Sequence, residues 1–196
     1  MIDTSRVEAV VIGGSAGAFA ALKVLLPALP RTLGVPVVVV IHLPPDRPSA
    51  IVDVFQHASP HQMKEADDKE PLAAGTVYFA PPAYHLLVET DGSLSLSTDD
   101  PVHHSRPSID VLFESAADAF GDGLLAIVLS GANEDGARGL KAVVDAGGQA
   151  IVQAPDSAEH RLMPAAALRL TRPQAIASVH EIATVLSALP QGHTHA

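Results

Sequence analysis

The chain has 196 residues, 47% of them hydrophobic and 17% charged, which supplies a large apolar core and excludes wholesale disorder. Its net charge of −10 sets it against nucleic-acid phosphates, so no nucleic acid is expected as a partner. With no cysteine, neither a disulfide nor thiolate chemistry is available.

The longest apolar runs, such as residues 35–41, are far shorter than the roughly 20 residues of a membrane-spanning helix. Asp3 and Glu8 flank the opening, where a secretory leader would be basic and then apolar. A cytoplasmic protein without a leader and without membrane insertion is therefore expected.

In chain order, residues 9–12 predict a short strand, residues 13–17 a glycine-rich turn, and residues 19–29 a helix up to Pro30. Residues 35–41 are apolar at every position, the pattern of a strand buried on both faces of a parallel sheet. Pro44, Pro45 and Pro48 break the chain ahead of a helix near 49–57. Alternating runs at 76–79, 86–89 and 94–97 are divided by Pro81-Pro82 and by Asp91-Gly92, the latter a hairpin turn.

Residues 107–120 predict a helix with Pro107 in its first turn. Ile109, Leu112, Phe113, Ala116 and Phe120 share one face, and Gly121 follows. A strand at 124–129, a turn at 131–136 and a helix to about 146 come next, ended by Gly147-Gly148. A strand at 149–153, helices at 164–170 and 181–189, and a frayed tail at 191–196 complete the chain. The alternation predicts an α/β fold: a doubly wound, mostly parallel sheet with helices on both faces and an antiparallel hairpin insertion near residues 76–97. One domain is expected over residues 1–190.

In such sheets, sites form where loops converge at the carboxyl ends of strands. Ser15 follows the first strand, His42 the second, and Asp135 lies in the turn after a later one. Gly13-x-Ser15-x-Gly17 matches the strand-to-helix elbow that exposes a nucleophilic hydroxyl, with helix-start N–H groups placed to bind an oxyanion. A serine hydroxyl needs a base such as imidazole, and a carboxylate would hold that imidazole in the right tautomer.

The elbow pattern on its own also fits a structural or nucleotide-binding turn. A dinucleotide fingerprint fits worse, because Ser15 and Ala18 stand where its later glycines belong and the second strand ends in His42. The order Ser, His, Asp also departs from the Ser, Asp, His order of α/β-hydrolases.

Other polar groups have plainer readings. His85 lines a substrate cleft or packs beside the aromatic run, and Arg106 pairs with a substrate carboxylate or caps structure. His103-His104 and His193/His195 read as solvated, without converging metal ligands. Asp67, Asp68 and Glu70 read as a solvent-facing acidic turn, and Glu134 competes with Asp135 as the orienting acid.

Over roughly residues 7–190 the chain resembles the catalytic domain of the CheB family of chemotaxis protein-glutamate methylesterases. The resemblance rests on residues 11–17, 41–45, 77–82 with His85, 106–113, 128–139, and Met163-Pro164. It implies Ser15 as nucleophile, His42 as base and then acid, and Asp135 as orienting carboxylate, with the Ala132 and Ala16 N–H groups as oxyanion donors.

It further implies hydrolysis of γ-glutamyl methyl esters, or deamidation of glutamines, on cytoplasmic helices of chemoreceptors, with no cofactor and no metal. The chain departs from the family at Ala18 and at Ala132-Asn133, where many members have glycine and a methionine-glycine pair. The family's N-terminal receiver domain finds no room before the first strand, which leads to the expectation of constitutive activity or control by a separate regulatory protein. The alternatives are a non-catalytic adaptor for receptor or regulatory proteins, and an esterase or amidase acting on another substrate.

Overall fold

A computed structural model describes residues 2–42, 51–57 and 59–192. The predicted Leu43-Pro44-Pro45 block and the tail histidines lie outside the described residues. Seven parallel strands form the main sheet, in spatial order β3-β4-β2-β1-β7-β8-β9. They are β1 (Ala9–Gly14), β2 (Val37–Ile41), β3 (Gln62–Glu65), β4 (Thr76–Phe79), β7 (Leu124–Val128), β8 (Gln149–Gln153) and β9 (Ala175–Ala177). A separate antiparallel pair joins β5 (His85–Val88) to β6 (Leu94–Ser97).

Alternation along the central strands sends side chains to two cores. Val10, Ile12, Val39, Leu125 and Ile127 face a cluster completed by α1 (Ala18–Leu25), α2 (Ile51–Gln56) and α6 (Val179–Ser187). Val11, Val38, Val40, Ala126 and Val128 face the opposite cluster. That second core is built with the hairpin, α3 (Ile109–Phe120), α4 (Ala137–Asp145) and α5 (Leu162–Leu170). The doubly wound α/β expectation is what the chain adopts.

Several details differ from the sequence reading. The run 76–79 is not part of the hairpin: it pairs in parallel with β2, and the antiparallel insertion narrows to β5 and β6. Edge strands β3 and β9 escaped the reading because they are short and only partly buried, which blurs their periodicity. Pro107 lies before α3 rather than in its first turn, since Ser108 at φ −108° and ψ 139° is the N-cap. The segment at 191–196 is tied down at its start: Gln191 bridges to Leu33, and the Gly192 N–H donates to Thr32 O at 2.7 Å.

The chain runs outward from β1 through β2 to β4 and β3, then returns to the other flank of β1 as β7. That reversal makes β1 and β7 the switch point, where the following loops part to opposite faces and leave a crevice at the strand ends.

Candidate active site

Three loops meet at this crevice. Gly14 pairs with Ile41 across β1 and β2, so Ser15 and His42 leave neighbouring strands at the same level. The His42 N–H donates to Gly14 O at 3.2 Å, and the Ser15 N–H donates to Ser130 O, beyond β7, at 2.9 Å. The Ser130 hydroxyl reaches back to Ala16 O at 2.7 Å. Backbone and side chain together tie Ser15 and Ala16 after β1, His42 at the end of β2 and Ser130 after β7 into one platform.

The turn carrying Ser15 is tight for a physical reason. Gly17 stands at φ +82°, and a Cβ there would lie 2.7 Å from the Ser130 Oγ. Gly13 is packed so closely against α3 that a Cβ would fall 2.2 Å from the Ile109 Cγ2. Only glycine fits both positions.

Asp135 is fully buried, and its carboxylate is surrounded by donors. Oδ1 accepts from the Ser108 Oγ at 2.8 Å, the Asp110 N–H at 3.0 Å and the Gly136 N–H at 3.0 Å. Oδ2 accepts from the Ile109 N–H at 2.7 Å and lies 2.9 Å from the His42 Nε2. The Ser108 side chain makes no cap bond to its own helix. Asp135 therefore satisfies the orphan N–H groups at the start of α3 in its place, where the helix dipole favours an anion.

Burial by itself pushes the Asp135 carboxyl up. The His42 hydrogen bond, the Asp110 and Ile109 N–H groups, and the attraction of the imidazole outweigh burial and hold it below the ordinary carboxylate range.

With Nε2 turned to Asp135, the other ring nitrogen of His42 is the one free to act. Nδ1 lies 3.5 Å from the Ser105 Oγ and 3.5 Å from the Asn133 Nδ2. Asn133 is held in turn because its Oδ1 accepts the Asp135 N–H at 3.2 Å. The His42 side chain is 12% exposed and Ser15 is half-buried. The Ser15 Oγ makes no hydrogen bond among the described residues: the structure joins His42 to Asp135 directly, while Ser15 follows β1 at the level at which His42 follows β2. Neither the Ala16 nor the Ala132 N–H donates a hydrogen bond among the described residues, and Ala132 is exposed.

His85 stands behind the site rather than on an open wall. It is 1% exposed, its Nδ1 accepts the Ser108 N–H at 3.1 Å, and its Nε2 faces Asp100 O at 3.1 Å. This arrangement fixes Ser108, which in turn holds Asp135. Arg106 lines an open cleft together with His42. Glu134 is exposed, leaving Asp135 as the acid against the imidazole. Lys64 bridges Asp67 at 2.8 Å and Glu70 at 2.9 Å, and Lys69 lies 3.9 Å from Asp68, so all three members of the acidic turn are ion-paired.

The sequence reading missed four contributors: Ser105, Ser108, Asp110 and Asn133. A serine ahead of a helical apolar run signals an N-cap, but nothing local shows that Ser108 turns to Asp135 27 residues away. Asp110 is buried with its Oδ1 on the Gly139 N–H at 2.7 Å, while among the described residues Oδ2 has only the ion-pair contact to the His103 Nε2 at 3.4 Å.

Comparison with known proteins adds to this geometry. A relative from Leptospira interrogans, provisionally named a protein-glutamate methylesterase/protein-glutamine glutaminase, is 43% identical over 95% of this chain and 96% of its own length. A protein-glutamate methylesterase/protein-glutamine glutaminase of Archaeoglobus fulgidus is 34% identical over 89% of this chain, which spans 51% of that protein. The crystal structure of the Thermotoga maritima CheB methylesterase catalytic domain superposes with a TM-score of 0.87 at 28% identity, covering 92% of this chain and 97% of that one. No helix among the described residues is long and apolar enough to cross a membrane. The CheB methylesterase family profile matches residues 10–186, and the chain belongs to the CheB methylesterase family.

Proposed function

We propose that this chain is a serine esterase that demethylates γ-glutamyl methyl esters on the cytoplasmic helices of chemoreceptors, with Ser15, His42 and Asp135 as its triad. Residues 1–190 act as one methylesterase domain, because both cores are built on the same sheet. The observation that carries the reading is the buried Asp135 carboxylate at 2.9 Å from the His42 Nε2, beside a serine that leaves the neighbouring strand at the same level. The family and the printed names of the relatives supply the substrate class.

In this reaction the His42 Nδ1 takes the Ser15 proton as Oγ attacks the ester carbonyl. Reaching Nδ1 requires the serine to displace its loose contacts with Ser105 and Asn133, a tightening that commonly accompanies substrate binding. The tetrahedral oxygen is held by the Ala16 and Ala132 N–H groups. His42 then returns the proton to the departing methoxide, and methanol leaves. A water activated by the same nitrogen hydrolyses the acyl-enzyme to the free glutamate. Base catalysis supplies about 10²–10⁴ and each oxyanion donor about 10²–10³ in rate. A glutamine side chain reaches the same acyl-enzyme with loss of ammonia, which is the deamidation implied by the relatives' names.

The test is methanol release from a methylated receptor fragment. Ser15→Ala is expected to lower turnover by about 10⁴-fold or more with unchanged unfolding, and a fluorophosphonate is expected to label Ser15. Methanol release by Ser15→Ala at the unmodified rate would overturn the reading.

A further inference from the structure

Three polar atoms beside the proposed triad stand at nearly equal spacing. The His42 Nδ1 lies 3.5 Å from the Ser105 Oγ and 3.5 Å from the Asn133 Nδ2, and those two atoms are 3.4 Å apart. All three separations are longer than the roughly 2.7–3.2 Å of a good hydrogen bond. An oxygen about 2 Å above the middle of such a triangle, by contrast, sits about 2.8 Å from every corner. Two of the corners belong to residues that line the open cleft, His42 and Ser105.

Each corner is held in place, and its hydrogen-bonding sense is fixed. The His42 Nε2 faces the Asp135 carboxylate at 2.9 Å, which leaves Nδ1 as the lone-pair nitrogen of the neutral ring. The Asp135 N–H can only donate, and it lies 3.2 Å from one end of the Asn133 amide. That end is therefore the oxygen, and the end beside His42 is NH₂. Ser105 is closed against Val102 by two reciprocal backbone bonds of 2.8 and 3.1 Å, and its hydroxyl can both give and accept. The triangle thus offers one group that exchanges a proton, one that only donates and one that does either.

We propose that His42, Ser105 and Asn133 form a seat for one oxygen atom, which takes first the departing ester oxygen and then the attacking water. The seat rests on the methylesterase reading. In acylation the Ser15 proton passes to Nδ1 as the bond between Oγ and the ester carbon forms. Nδ1–H and the Asn133 NH₂ then both point at the alkoxy oxygen, whose two lone pairs accept them. The proton moves from Nδ1 to that oxygen as the carbon–oxygen bond breaks, and methanol leaves. In deacylation a water accepts from the Asn133 NH₂, gives one hydrogen to the Ser105 Oγ and loses the other to Nδ1 as its oxygen bonds to the acyl carbon. Three partners are the usual number for an ordered water. The proton then passes to the Ser15 Oγ as the acyl bond breaks. Asn133 and Ser105 are thereby further catalytic residues, in contact with the reacting oxygen.

Methoxide is a strong base and needs a donor to leave, whereas trifluoroethoxide is much weaker and needs little help. The test therefore uses one receptor fragment esterified at the same glutamate with methanol or with trifluoroethanol. It compares the unaltered protein with Asn133→Ala and with Asn133→Asp, which keeps an oxygen for the Asp135 N–H. In both variants kcat/KM for the methyl ester is expected to fall by about tenfold or more, and that for the trifluoroethyl ester by much less. Damage to the Asp135 and His42 pair would lower both esters alike, so the ratio reads the leaving oxygen alone.

Ser105→Ala removes the acceptor for the second hydrogen of the water. With the trifluoroethyl ester it is expected to lower kcat and let the acyl-enzyme build up, visible as fragment mass added to the protein. Equal falls for the two esters in the Asn133 variants, or an acyl-enzyme that never builds up in Ser105→Ala, overturn the seat while the methylesterase reading stands. Failure of the unaltered protein to release either alcohol is a different result: it overturns the methylesterase reading, and the seat falls with it.

Discussion

Replacing Asp135 with asparagine leaves the shape of the side chain and changes what each of its two outer atoms can do. Oδ1 serves three donors, from Ser108, Asp110 and Gly136, while Oδ2 serves the Ile109 N–H and the His42 Nε2. The amide oxygen must therefore take the Oδ1 position, and its NH₂ falls at Oδ2, 2.7 Å from the Ile109 nitrogen, donor against donor. A buried N–H deprived of its acceptor costs about 1–3 kcal/mol. The lost charge at the start of α3 adds about 0.3–1 kcal/mol, so a total destabilisation of about 1–4 kcal/mol is expected in urea unfolding at pH 7.

The effect on turnover is larger. The new NH₂ donates to the His42 Nε2, which forces the ring proton onto Nδ1, the nitrogen that should receive the serine proton. A base locked in the wrong tautomer loses about 10⁴ in kcat. The pH dependence of stability provides a separate check. The Asp135 carboxyl titrates below its unfolded value. Its contribution is therefore complete above about pH 4, near the unfolded pKa, and is lost as pH falls through the folded one. Asp135→Asn should lack that part of the acid destabilisation. Methanol release within tenfold of the unaltered protein, or an unchanged unfolding midpoint at pH 7, would refute the arrangement.

Asp110→Asn should move stability the other way. Burial, then the neighbouring Asp135 and Glu114 charges, raise the Asp110 carboxyl against the pull of the Gly139 N–H and His103. Its folded form therefore binds a proton more tightly than its unfolded form, and stability falls as pH rises through the folded pKa. The amide keeps the Gly139 bond and offers the His103 Nε2 a donor, so a gain on the order of 1 kcal/mol is expected at pH 8 and should vanish in acid; a loss at pH 8 would contradict this account. Gly13→Ala should cost about 1–3 kcal/mol by overpacking against Ile109, and reduce turnover as α3 shifts under Asp135; wild-type unfolding and rate would show that the contact yields freely. Ser178→Ala removes the capping box with Glu181 at the start of α6 and should cost about 1 kcal/mol without altering methanol release, so a changed rate would tie α6 to the site.

Local pattern was enough to reveal the central strands and the helices that make up most of the two cores. Residues 37–41, five consecutive apolar positions, are buried at every one, because a central parallel strand is covered on both faces and so cannot alternate. The position of Ser15, His42 and Asp135 beyond the ends of central strands was legible for a related reason: the breaks that follow fully apolar runs mark where a parallel sheet opens its loops. The edge strands were not legible, since a short strand with one side in solvent leaves no clear period.

What tertiary structure alone decided was the set of partners. The chain spacing of 27 residues between Ser108 and Asp135, or of 93 between His42 and Asp135, carries no signal, because those contacts exist only once β7 has come to lie beside β1. The same holds for the donors of α3 that keep the Asp135 carboxylate ionised in a dry interior, and for the retreat of His85 behind the site. Each depends on which loops the sheet reversal brings face to face, a property of how the whole chain closes and of no segment of it.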